Sequence, residues 1–384
     1  MSDRRLYLDW NATAPVLPEV REAMTETLAS VPGNASSVHQ DGQAARAVVE
    51  RARRSIAAAV GAPAQAVVLT GGATESNNQV LRDHVATTDE PFVICTAVEH
   101  PSVLEVVEQL GEEGVEIAVW PVDEAGCLDV EWLEARLDDG ATLVSAMWAN
   151  NETGNIYDVS RIVEIAHRAN AVVHVDATQA FGRIPLDFDE AGIDFMTLSF
   201  HKMGGPKGVG ATVVREGRTI GALYAGGHQE RGRRPGTENV PAIAGVEAAA
   251  SCCVARRNEW TEALASRKEA FVTTLREVTE SLELRGDPDG QLPNTVNVAF
   301  DGVDGEDLLM ALDLEGVSAS SGSACTAGSL EPSHVILAMG YGEERARESV
   351  RFSFGPSTPT DELVAGARRI GEVVERLRTL ERDW

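Results

Sequence analysis

Lys202 stands where the apolar run Phe195-Met196-Thr197-Leu198-Ser199 gives way to the glycine-rich stretch Gly204-Gly205-Pro206-Lys207-Gly208, and it is one of only three lysines in 384 residues. An amine held at such a place beside other cations loses its proton and forms a Schiff base with an aldehyde. A second run, Ala171-Val172-Val173-His174-Val175, closes on Asp176. A carboxylate at the end of a buried strand needs a cationic partner, and a pyridinium nitrogen fits, because the acid keeps it protonated and strengthens the ring as an electron sink. A third run, Val67-Val68-Leu69-Thr70, opens into Gly71-Gly72-Ala73-Thr74-Glu75-Ser76-Asn77-Asn78. Its small residues let backbone amides approach an anion at the positive end of the following helix, which is the build of a phosphate cup. Singly, each has an ordinary explanation as a solvated loop lysine, a helix-capping aspartate or a turn with a capping threonine. Cup, acid and amine in that chain order, each at the carboxyl end of a strand where open α/β sheets collect ligands, go beyond those explanations.

The five cysteines, at 95, 127, 252, 253 and 325, are odd in number and lack any CxxC spacing, so neither a disulfide framework nor a zinc site is expected. Cys325 sits in Ser320-Ser321-Gly322-Ser323-Ala324-Cys325-Thr326-Ala327-Gly328, residues too small to build much core, which predicts a mobile loop carrying a reactive thiol. Cys95 in a strand, and Cys252 and Cys253 in an alanine-rich helix, are expected to be small buried hydrophobes. Cys127 falls in a turn and receives no role.

The elements that must position these residues alternate. Short β-branched runs at Val67–Thr70, Phe92–Thr96, Ile117–Val122, Thr142–Trp148, Ala171–Val175, Phe195–Ser199 and Ala211–Val214 are separated by amphipathic helical stretches, the α/β pattern. Near-continuous hydrophobicity along the strands implies a mostly parallel sheet covered on both faces. Between Gly42 and Val60, residues Ala45, Val48, Val49, Ala52, Ile56 and Val60 form one helical face, with Arg46, Glu50, Arg53 and Arg54 on the solvent side and Gly61 as the stop. Beyond a helical stretch at Val246–Arg257 the pattern changes, and Asn294–Phe300 alternates like a half-buried antiparallel strand. A large domain over residues 16–255 and a smaller α+β domain built from residues 1–15 with 256–384 are therefore expected.

Hydrophobic residues are 43% and charged residues 24% of the chain, which is globular usage. No apolar run approaches the roughly 20 residues of a membrane span. The N-terminus reaches Asp3 before any apolar core, so no secretory signal and a cytoplasmic location are expected. Formal net charge is −27, which argues against nucleic acid or an anionic membrane as direct partner. A GC-rich genome accounts for scarce lysine but not for the acid excess, whereas a high-salt cytoplasm suits both, since salt screens self-repulsion. No metal site is expected.

Nearly end to end, the chain resembles the class V group of fold-type I pyridoxal-phosphate enzymes, and within it the cysteine desulfurases of the NifS and IscS kind. The matching stretches are Tyr7-Leu8-Asp9, Asn11-Ala12-Thr13, Gly33-Asn34-Ala35-Ser36-Ser37-Val38-His39, Gly72 to Asn78, Glu99-His100-Pro101 and Asn150-Asn151-Glu152-Thr153-Gly154. They continue through Asp176-Ala177-Thr178-Gln179, Ser199-Phe200-His201-Lys202, Gln229-Glu230-Arg231-Gly232, Gly236-Thr237-Glu238-Asn239, Ser321 to Cys325 and Arg351-Phe352-Ser353.

The resemblance implies roles by position. Lys202 would bind pyridoxal 5′-phosphate covalently, Asp176 would pair with its ring nitrogen, and Gln179 and Asn151 would bond its ring hydroxyl. His100 would stack on the ring and move protons. Ala73, Thr74, Ser199 and His201 would bind the phosphate, joined by Thr237 from a second subunit, so a homodimer is implied. Arg351, with Asn34, would bind the substrate, the guanidinium gripping the carboxylate of L-cysteine as a bidentate fork. Cys325 would take the sulfur as a persulfide, leaving alanine, and pass it to an acceptor protein: an iron–sulfur scaffold, a tRNA thiolation enzyme or DNA phosphorothioation machinery. His228 and Ala180-Phe181 depart from the family pattern and bear on fine substrate fit. A selenocysteine lyase or cysteine sulfinate desulfinase needs no persulfide cysteine, and Cys325 argues against it. A sulfur-relay scaffold without turnover would not need intact Lys202, Asp176 and Cys325.

Overall fold

The computed structural model describes residues 5–321 and 331–382, and Cys325 lies outside them. Twelve strands occur among the described residues: β1 (Leu6–Tyr7), β2 (Val67–Thr70), β3 (Phe92–Thr96), β4 (Glu116–Trp120), β5 (Leu143–Met147), β6 (Val172–Asp176), β7 (Phe195–Ser199), β8 (Gly210–Val214), β9 (Leu282–Arg285), β10 (Thr295–Phe300), β11 (Val317–Ser318) and β12 (Ser349–Ser353).

Seven of them form one sheet in the order β2-β8-β7-β6-β5-β3-β4. Strands β4, β3, β5, β6 and β7 pair in parallel, and β8 runs antiparallel to both β7 and β2. Every residue of β2, β3, β5, β6, β7 and β8 is buried, as two covered faces require. Edge strand β4 has Glu116 and Val119 exposed. The sheet thus has the mostly parallel, doubly covered form expected of it.

The helix Gln40–Ala59 buries Ala45, Val48, Val49, Ala52 and Ile56 on the predicted face, and Gly61 follows with a left-handed φ of 66°. Arg53 departs from expectation. Placed on the solvent side by periodicity, it is 7% exposed, and its guanidinium makes a two-pronged ion pair with Glu230, each N···O at 2.7 Å. The helix predicted around Val246–Arg257 runs much further, from Val240 to Val278, and joins two cores. Ala242 to Cys253 pack in the main core, and Leu264, Phe271 and Leu275 in a second one. That second core gathers Leu6, Leu8, Trp10 and Ala14 with residues of β10, β12 and the helix Thr360–Arg382. Strand β10 is antiparallel to both neighbours, as expected, but it is buried along its whole length rather than on one face, because Val296, Val298 and Phe300 pack in the second core while Thr295 and Asn297 meet Asn11 and Glu152 on the other side. No described helix is long and apolar enough to cross a membrane.

Candidate active site

A cavity of about 710 Å³ opens at the carboxyl ends of β2, β5, β6 and β7. Parallel strands deliver their C-terminal residues to one rim, so residues far apart in sequence meet there. Ala73, Thr74, His100, Asn151, Asp176, Gln179, Ser199, His201 and Lys202, all singled out from the sequence, line it.

Asp176 ends β6 at 6% exposure. Its Oδ2 accepts from Asn77 Nδ2 at 2.9 Å and its Oδ1 from the Thr178 amide at 2.9 Å. Both donors are neutral. Asn77 spends its other amide hydrogen on Ser102 Oγ at 2.9 Å, and Ser102 Oγ lies 2.9 Å from His100 Nδ1, which also accepts from the Ser102 amide at 3.1 Å. Because Asn77 donates into Ser102 Oγ, the serine proton is left for His100 Nδ1, and a neutral His100 carries its own proton on Nε2. Burial pulls the His100 imidazole below its ordinary value; Asp176 opposes this, while Lys202 and His334 reinforce it. Neither Asn77 nor Ser102 was assigned a role from the sequence. Helical spacing does place Asn77 on the first turns after the glycine cup, a signal that was available.

Lys202 Nζ donates to the carbonyls of Asn11 at 2.7 Å and Ala12 at 2.8 Å, so the N-terminal segment closes over the end of β7. Gln179 Nε2 donates to the Asn11 carbonyl at 3.0 Å, and Gln179 Oε1 accepts from the buried Arg183. Arg351 on β12 is buried; it donates from NH2 to Asp9 Oδ1 at 2.7 Å and from NH1 to the Asn151 carbonyl at 3.0 Å. Its Nε is buried with no partner among the described residues. Asp9 belongs to the matching stretch Tyr7-Leu8-Asp9, and its part here, holding the guanidinium, is visible only in the structure.

Arg351 is not among the residues that line the cavity, and three further candidates sit elsewhere. Thr237 lines a neighbouring hollow of about 250 Å³ that shares Gly71 and Gly208 with the main cavity. Asn34 is exposed and caps its own turn by accepting from the Ser36 amide at 2.8 Å. Cys325 falls outside the described residues, but the chain enters residues 322–330 from beside the site: the amide of Ser320 donates to the Arg351 carbonyl at 3.2 Å and its carbonyl accepts from the Arg351 amide at 2.6 Å. The other cysteines behave as buried hydrophobes should at 95 and 253, where burial pushes the thiols up, Cys253 to about 12, whereas Cys252, expected to be buried with them, is only half-buried.

The model for aminotransferase class V matches residues 6–365. This chain belongs to the class V aminotransferase family. It is 39% identical to "Cysteine desulfurase IscS" of Dictyoglomus turgidum over 99% of this chain and 98% of that one. It is also 39% identical to "Cysteine desulfurase NifS" of Azotobacter vinelandii, covering 99% of this chain and 95% of that protein. A solved "NIFS-LIKE PROTEIN" superposes with a TM-score of 0.91 at 33% identity, over 97% of this chain and all of the other.

The cofactor of these class V enzymes is pyridoxal phosphate, and the site suits it. A buried carboxylate held only by neutral donors can accept a cationic ring nitrogen. Thr178 lines the cavity, and its Oγ1 is buried and unpartnered among the described residues. The helix Ala73–Thr87 starts at the cup, and its first amides lack helical acceptors. Beneath it a Cβ at Gly210 of β8 would come within 2.7 Å of the Gly72 backbone, so only glycine lets the cup rest on the sheet.

Proposed function

We propose that this protein is a cysteine desulfurase that converts L-cysteine to L-alanine and transfers the sulfur to its own Cys325. The observation that carries this is the convergence on one cavity of Lys202, Asp176 and His100, in a chain similar over almost its full length to cysteine desulfurases. Bound pyridoxal phosphate supplies an aldehyde that captures amines and a ring that draws electrons from the substrate Cα.

Lys202 would hold the cofactor and, once the substrate amine displaces it, move a proton at the substrate Cα. Its amine then has ready acceptors in the Asn11 and Ala12 carbonyls, 2.7 and 2.8 Å away. Asp176 would keep the ring nitrogen protonated, steadied by Asn77 and Thr178. His100, with Nδ1 engaged by Ser102, would lay its ring face on the cofactor and move a proton at Nε2. Ala73, Thr74, Ser199 and His201 would bind the phosphate, and Gln179 and Asn151 the ring hydroxyl. Arg351 would bind the substrate carboxylate through the N–H groups that Asp9 and Asn151 leave over, Nε among them. Asn34 makes no contact within the cavity in the single chain. The Cys325 thiolate would attack the substrate sulfur; the new S–S bond forms as the Cβ–S bond breaks, its electron pair staying with carbon and later taking a proton to give alanine.

A homodimer, with Thr237 reaching the second subunit's phosphate site, and an acceptor protein for the sulfur complete the reading. Division into residues 16–255 and a smaller unit of 1–15 with 256–384 is supported by a hydrophobic core of residues from 6–14 and 264–374 that is separate from the two cores of the large sheet, although Val335, Ile336 and Met339 pack in the largest of these.

Purified protein should be yellow, Lys202→Ala colourless, and Cys325→Ser still yellow and able to bind cysteine but unable to release sulfur. Wild type given cysteine should yield alanine and one extra sulfur, removable by reductant, on the peptide containing Cys325. Desulfuration by Cys325→Ser at the wild-type rate would replace the persulfide route with a direct lyase.

A further inference from the structure

The segment Asn11 to Ala14 is stitched to the turn that carries Lys202. The Ala14 amide donates to the His201 carbonyl at 2.9 Å, and Lys202 Nζ donates to the carbonyls of Asn11 and Ala12. Between these contacts Thr13 Oγ1 lies 3.1 Å from His201 Nδ1, and both residues line the cavity. The Thr13 carbonyl is occupied by the Tyr7 hydroxyl at 2.8 Å, while its own hydroxyl makes no other hydrogen bond among the described residues.

We infer that Thr13 is a positioning residue: its hydroxyl donates to His201 Nδ1 and fixes the imidazole with its single N–H on Nε2, the nitrogen left for the cofactor phosphate. The inference rests on the reading, given above, that His201 binds that phosphate.

The logic is one of proton count. In the cofactor-free chain burial, reinforced by Lys202, Lys207 and Arg183, pushes the His201 imidazole down to about 4, so before the phosphate binds the ring carries one N–H near neutral pH. A phosphate monoester is rich in acceptor oxygens, and a ring nitrogen that faces it must donate. The one proton therefore belongs on Nε2, which makes Nδ1 an acceptor in need of a donor. Thr13 supplies it. In the opposite tautomer Nδ1–H would donate to Thr13 and turn a lone pair towards an anion. The arrangement is the phosphate-site counterpart of an outer residue fixing the tautomer of a metal-binding histidine.

Two measurements on the holoenzyme test this. With ¹⁵N-labelled histidine, and the His201 signals identified by their loss in His201→Gln, Nδ1 should resonate as an unprotonated and Nε2 as a protonated nitrogen. Thr13→Val keeps the side-chain shape without the donor and should bind pyridoxal phosphate about tenfold more weakly, as expected for one lost hydrogen bond at a buried acceptor. Thr13→Ser should restore wild-type affinity, and cofactor-free Thr13→Val should melt with the wild type. A protonated Nδ1 in the yellow wild type, or Thr13→Val with unchanged affinity and tautomer, overturns the inference alone. Should Thr13→Val not fold, the wild-type tautomer decides. A wild type that takes up no pyridoxal phosphate overturns the inference together with the reading beneath it.

Discussion

Glu99 has no exposed surface, and its two carboxyl oxygens differ in their surroundings: Oε1 accepts from Thr96 Oγ1 at 2.8 Å and the Met147 amide at 2.6 Å, whereas Oε2 has no partner among the described residues. Burial, followed by the nearby charge of Asp176, pushes its carboxyl up from 4.5 to about 8. A group whose folded value is raised lends stability that is full below about 4.5 and is lost as pH climbs through about 8. Cofactor-free wild type should therefore lose on the order of a few kcal/mol between these limits through this residue. Glu99→Gln should flatten that part of the stability–pH curve, measured by chemical denaturation at several pH values; a variant curve parallel to the wild type would refute the shift. In the sequence Glu99 is one more acid beside His100. Its partners come from the end of β3 and from β5, and the charge that perturbs it from β6, so only the assembled sheet makes it unusual.

At the scale of elements, Arg53 shows how helical periodicity misleads when a charged side chain is paired. The helix Gln40–Ala59 meets the turn Gln229–Gly232 there, and the turn holds two consecutive left-handed residues, Glu230 at φ 49° and Arg231 at φ 60°. Such a conformation persists only where contacts over-determine it. Here the Glu230 carboxylate takes both Arg53 prongs and the Leu69 amide at 3.0 Å. Arg53→Met should cost about 3–5 kcal/mol, because it leaves a carboxylate buried without its counter-charge. Removing the orphaned charge as well, in Arg53→Met with Glu230→Gln, should recover part of that loss. Equilibrium denaturation checks both, and a double variant no more stable than the single would remove the ion pair as the cause. The strands of the large sheet and β10, by contrast, are legible to within a residue or two, since β-branched runs bounded by polar clusters have few alternatives, whereas β1, β9, β11 and β12 carry no such reading.

The whole molecule carries a charge of −27. Many carboxylates lie on exposed surface, where their repulsion disfavours the compact state and salt screens it, the Debye length falling to about 3 Å at 1 M. Melting temperature should rise as salt is brought to molar levels, most steeply at the low end of the range. A melting temperature that stays flat or falls in differential scanning calorimetry would leave genome composition as the reason for the scarce lysines. This test is independent of the catalytic reading, because the charge lies mainly outside the cavity.

The meeting of residues that stand at the ends of apolar runs was determined by the sequence alone: Lys202, Asp176 and the cup at Gly72 to Thr74 mark themselves, because a parallel sheet has one rim to which those ends must go. Residue types at ordered spacings, together with the resemblance they carry, also determined the family. Tertiary structure decided what depends on contact between distant segments. The N-terminal carbonyls reach Lys202 across some 190 residues, the Asn77–Ser102 relay joins Asp176 to His100, and Asp9 grips Arg351 across 342 positions. Hydrogen-bond partners are chosen by direction and distance after the backbone is placed, and a linear pattern of polar residues holds neither.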